Sequence, residues 1–76
     1  MFKGERTVLT QKVGTRSVYL VPEEDSIDVY FQKKGTPWIF AYGTPMHGED
    51  LDEFDPDDLF ITAWGYFEIH EEDMFQ

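Results

Sequence analysis

The chain contains no cysteine. That excludes disulfide staples and thiolate metal sites, and it points to an intracellular setting. Lys and Arg are missing altogether after Lys34. No stretch approaches the ~20 apolar residues of a membrane-spanning helix. The charges of Lys3, Glu5 and Arg6 have no apolar run behind them, so no signal peptide is expected and the reading is a cytoplasmic protein. Phosphate-binding loops of the G-x-x-x-x-G-K-S/T or G-x-G-x-x-G type do not occur, nor does a G-x-S-x-G nucleophile elbow.

Histidine is scarce, with His47 and His70 only. His47-Gly48-Glu49 has the H-x-E spacing of zinc deaminases, but the cysteine pair that completes such a site is missing. The acids do not fit a calcium loop either. Counted from Asp50, position five is Phe54 and position six is Asp55, where an oxygen ligand and a glycine are required. No metal or cofactor is expected. A catalytic role is not expected: a chain this short can hardly enclose a cleft of about 300–1,000 Å³ and a core of its own.

What is present is carboxylate and aromatic surface. The 76 residues suit one domain, 1–76, with thirteen aromatics to build its core. Net charge is −10. Residues 1–34 hold all six cations against five acids, while residues 35–76 hold eleven acids and no cation. A molecule so divided repels nucleic acid and anionic membranes from its second half and attracts basic surfaces to it.

The first forty-odd residues read as antiparallel β-structure. Strands are expected over about 7–13, 16–21, 27–32 and 38–42, with a tight turn at Gly14-Thr15 and a hairpin loop at 33–37. The clearest alternation sets Ile27, Val29 and Phe31 on one face and Asp28, Tyr30 and Gln32 on the other. Residues 43–48 read as a breaker cluster. An acidic loop or short helix is expected over about 49–58, with Leu51 and Phe54 tucked inward.

The last segment supports two readings. Ile61, Thr62, Trp64, Tyr66, Phe67 and Ile69 favour a fifth strand over about 59–69. Asp55-Pro56-Asp57-Asp58 is a helix start, and Phe60, Ala63, Trp64, Phe67 and Met74 share a helical face. The fold class is mainly β, a four- to five-stranded antiparallel meander. The alternative is α+β with a C-terminal helix from about 56.

Seven carboxylates fall within residues 49–58: Glu49, Asp50, Asp52, Glu53, Asp55, Asp57 and Asp58. They are candidates to imitate phosphate charge and bind the cations of a nucleic-acid-binding protein. Glu68, Glu71, Glu72 and Asp73 would extend that surface. Trp64 and Tyr66, if on one strand, would point the same way as an exposed aromatic pair of the kind that anchors interfaces. Aromatics in acid surroundings are poor ligands for nucleic acid itself, so direct binding is not expected.

In bulk composition (tiny, acidic, cysteine-free, one charged flank) the chain is similar to phage-encoded inhibitors that imitate DNA and block nucleases, repair enzymes or CRISPR complexes. The resemblance covers bulk properties and no motif. It implies an anti-CRISPR or anti-restriction type of protein acting in the host cytoplasm on a basic partner. The alternative is a protein–protein interaction module, or a homodimer, using exposed aromatics or a sheet edge.

Overall fold

A computed structural model describes residues 7–47 and 49–75, with Asp52 as backbone only. Four strands follow one another: β1 (Leu9–Val13), β2 (Arg16–Pro22), β3 (Ser26–Lys33) and β4 (Ile39–Pro45). They form one antiparallel sheet in the order β1-β2-β3-β4. The two hairpin turns at one end each place a glycine at positive φ, Gly14 at 63° and Gly35 at 84°, a region that other residues rarely adopt. The Lys34 N–H donates to the Thr15 carbonyl at 2.8 Å and ties these turns together.

β4 runs on through Gly43-Thr44-Pro45, the segment expected to break it, and pairs Pro45 with Ser26. Proline is tolerated there because β4 is an edge strand. Between Val29 and Tyr30 the register shifts, so Val29 pairs with Tyr42 and Tyr30 with Phe40. The extra residue, Ala41, makes a bulge. In a regular strand Phe40 and Tyr42 would share a face; here Tyr42 joins the inner face with Val29 and Phe40 joins the outer face with Tyr30.

Of the two readings of the last segment, the structure adopts the helix. After a short α1 (Asp50–Glu53), α2 spans Pro56–Met74, and residues 59–69 form helix in place of a fifth strand. The local preference of Ile61, Thr62 and Ile69 for strands is outweighed by a tertiary need. Val18, Leu20, Ile27, Val29 and Phe31 give one face of the sheet an apolar, fully buried centre. A fifth meander strand would widen the sheet and leave that face in water; a helix covers it. The Asp55 side chain caps α2 by accepting from the Asp57 N–H at 3.0 Å, and Pro56 opens the helix. Phe60, Ala63 and Phe67 are its buried face, and Phe67 stacks on Phe31 at 4.4 Å between ring centres. Leu51 of α1 is buried in the same core, with Phe54 packed against it. No helix among the described residues is long and apolar enough to cross a membrane.

Candidate functional site

The acid stretch 49–58 folds into α1, an extended link at Phe54 and Asp55, and the first turn of α2. Glu49, Asp50, Glu53, Asp55, Asp57 and Asp58 are all exposed. The side chain of Asp52 lies outside the described residues. Three of these acids also serve the fold. Asp55 is the α2 cap, and Asp57 and Asp58 sit at the positive end of the helix dipole. Glu49 stands at the α1 cap position but makes no capping hydrogen bond, so the helix gives it no comparable task. The β2–β3 connection adds Glu23, Glu24 and Asp25 at the same end of the sheet, where the Met46 N–H donates to the Asp25 carbonyl at 2.9 Å.

Farther along α2 the acids part company. Glu68, Glu72 and Asp73 project into solvent. Glu71 turns inward and bridges Arg16 at 2.8 Å and Lys33 at 3.1 Å. The hydrogen bond from Lys33, reinforced by the Arg16 charge, holds its carboxyl below the ordinary glutamate range against an opposing effect of burial. Glu71 therefore clamps the end of α2 to the hairpin turns.

Trp64 and Tyr66 also depart from the expectation of an exposed pair. On a helix they lie about 200° apart rather than side by side. Trp64 leans towards β1, where its indole N–H donates to Gln11 Oε1 at 2.8 Å and its ring lies 5.8 Å from Phe67. Tyr66 leans towards β4, with its ring 4.7 Å from Tyr42 and 4.2 Å from His70. Both are half-buried packing residues.

The described cations are confined to the sheet and its hairpins. Every described cation — Lys12, Arg16, Lys33 and Lys34 — belongs to the two hairpins whose turns lie at one end of the sheet. None lies on α1 or α2. The outward side of the helical segment is thus carboxylate at both ends, Asp57 and Asp58 at one and Glu68, Glu72 and Asp73 at the other. Its middle is apolar: Ile61 is 70% exposed and Ile69 76%, with Gly65 between them. The sequence-level reading did not single out these isoleucines, because strand propensity hid their helical spacing of eight.

A second exposed cluster lies on the helix-free face of the sheet. Tyr19, Tyr30 and Phe40 form a cross-strand row there, and Trp38 stacks on Tyr19 with 3.8 Å between ring centres. The placement of Tyr30 opposite Ile27, Val29 and Phe31 was the signal for that row. Among the described residues no group of three or more His, Asp or Glu is arranged to hold a metal ion.

Compared with family models, with curated proteins and with solved structures, the chain matches none of them.

Proposed function

We propose that this protein is a binding protein whose outward α1–α2 surface docks on the cationic surface of a nucleic-acid-binding protein, in the place that DNA would take. The reading is that of a small DNA-mimic inhibitor of the anti-restriction or anti-CRISPR type, acting in the cytoplasm of a host cell. One observation carries it. The helical segment exposes Glu49, Asp50, Glu53, Asp55, Asp57, Asp58, Glu68, Glu72 and Asp73 and carries no Lys or Arg of its own.

Glu72 and Asp73 add physical weight. They stand in the last turn of α2, which has no basic residue, at the negative end of the helix dipole. Acids there destabilise a helix by a few tenths of a kcal/mol each. Residues that work against their own fold are expected where a function keeps them. A basic partner would turn that cost into attraction, as protein cations do when they displace the counterions of phosphate. Self-association through this side is disfavoured, since an antiparallel pair of α2 helices would set Asp57 and Asp58 against Glu68, Glu72 and Asp73.

The test is capture from extracts at low and high salt with the tagged protein and with an Asp55→Lys, Asp57→Lys, Glu68→Lys variant of verified fold. The expected result is a basic nucleic-acid-binding protein that is retained at low salt, released at high salt and lost with the variant. Retention unaffected by the charge reversals would defeat the reading.

A further inference from the structure

The helix-free face of the sheet differs in chemistry from the rest of the molecule. Between the two hairpin turns lies a groove of about 290 Å³, lined by Lys12, Thr15, Ser17, Gln32 and Lys34 among others. Among the described residues no carboxylate lines it, in a chain with sixteen acids and six cations. Lys33 contributes to its wall but sends its ammonium group to Glu71 on the other face. Among the described residues the ion pairs are those of Glu71 with Arg16 and Lys33, while Lys12 and Lys34 line the groove.

The groove is continuous with the aromatic row. Gln32 accepts from the Tyr19 hydroxyl and donates from Nε2 to the Thr36 carbonyl at 2.9 Å, so the groove wall fixes the tyrosine. Trp38 lies nearly parallel on Tyr19, at 19°, and remains 45% exposed. Tyr30 supports it from 5.7 Å, and Phe40, 53% exposed, meets Tyr30 edge-on. A flat indole stacked on Tyr19, whose hydroxyl bonds to Gln32 of a groove lined by two lysines, a threonine and a serine, is the chemistry that receives a ring and a phosphate together.

We infer that this face is a nucleotide-binding site, with a phosphate in the Lys12–Lys34 groove and a base stacked on Trp38. Acid surroundings exclude nucleic acid from the helical side of the molecule, but they do not reach this face. Asp28 is the acid among its outward-facing strand residues, and it sits four residues, about 13 Å, along β3 from Gln32. At physiological salt the Debye length is about 8 Å, so the carboxylates of α1 and α2 on the far side are largely screened from the groove. The site is separate from the proposed protein-binding surface and does not depend on it.

The test is tryptophan fluorescence in a Trp64→Phe background, where Trp38 is the reporter, titrated with thymidine, thymidine monophosphate and the hexanucleotide (dT)6. Saturable quenching by the phosphorylated probes, with thymidine at least tenfold weaker, is the expected result. Quenching by the monophosphate assigns the site to free nucleotides; quenching by (dT)6 alone assigns it to single strands. Lys12→Ala with Lys34→Ala, and separately Trp38→Ala followed by calorimetry, should each weaken binding about tenfold or more. Thr62→Lys, an exposed change on α2, should leave it unchanged. Absence of saturable quenching at millimolar probe, or binding indifferent to removal of both lysines, would overturn the proposal.

Discussion

Replacing Gly65 tests the one element on which the sequence is divided. The residue is exposed near the middle of α2, and a Cβ added there meets nothing within 4 Å. Packing therefore cannot decide the outcome, and only backbone preference remains. In a helix Ala is better than Gly by about 0.8–1.0 kcal/mol, and Val is worse than Ala by up to about 0.7 kcal/mol. Gly65→Ala should stabilise the protein by about 1 kcal/mol and Gly65→Val by about 0.3 kcal/mol. For a domain this size that corresponds to Tm increases of roughly 4–8 °C and 1–3 °C. In a strand the order reverses, because β-branched Val is preferred to Ala. Paired thermal and urea unfolding of the two variants gives the answer. A Val variant as stable as the Ala variant, or more so, would refute a helix at this position.

Two further variants probe the acids. The folded-state carboxyl of Glu71 is held low by Lys33 and Arg16, so its stabilising effect is fully present above the unfolded pKa of about 4.3 and is lost as pH falls through the folded value. Glu71→Gln should thus be less stable than the parent at pH 7, with the difference shrinking as pH drops below about 4.3; a difference constant across pH would show that the ion pairs contribute nothing. Glu72→Lys with Asp73→Lys should raise the Tm, since the cations suit the helix C-terminus, while weakening capture of the basic partner. A variant that gains stability and keeps full binding would remove these two residues from the interface.

Much of this fold is legible before any coordinates. The alternation Ile27, Val29, Phe31 names the inner face of β3, and the glycines at 14 and 35 mark the hairpin turns. Asp55-Pro56 announces the start of α2, and Leu51 and Phe54 declare themselves as anchors of the acid stretch by their spacing. What the sequence hides is decided by tertiary context. Strand-forming residues at 61, 62, 64, 66 and 69 become helical because the sheet needs a cover, not because of their own preferences. The bulge at Ala41, which sends Phe40 outward and Tyr42 inward, leaves no local mark. Glu71 and Glu72 are identical neighbours in sequence. Only the rotation of about 100° per residue separates a clamp on Arg16 and Lys33 from an exposed carboxylate. The aromatics that remain accessible, Trp38 and Phe40, could not be told from core until the helix had chosen its side.

The central claim is that the outward α1–α2 surface occupies a site meant for nucleic acid. The most direct measurement is competition: the captured partner is loaded with this protein, and a duplex DNA that the partner binds is added in increasing amounts at fixed salt. Mutually exclusive binding is expected, with each ligand displacing the other and with the affinity of this protein falling steeply as salt is raised. A stable ternary complex of partner, duplex and this protein would contradict the account.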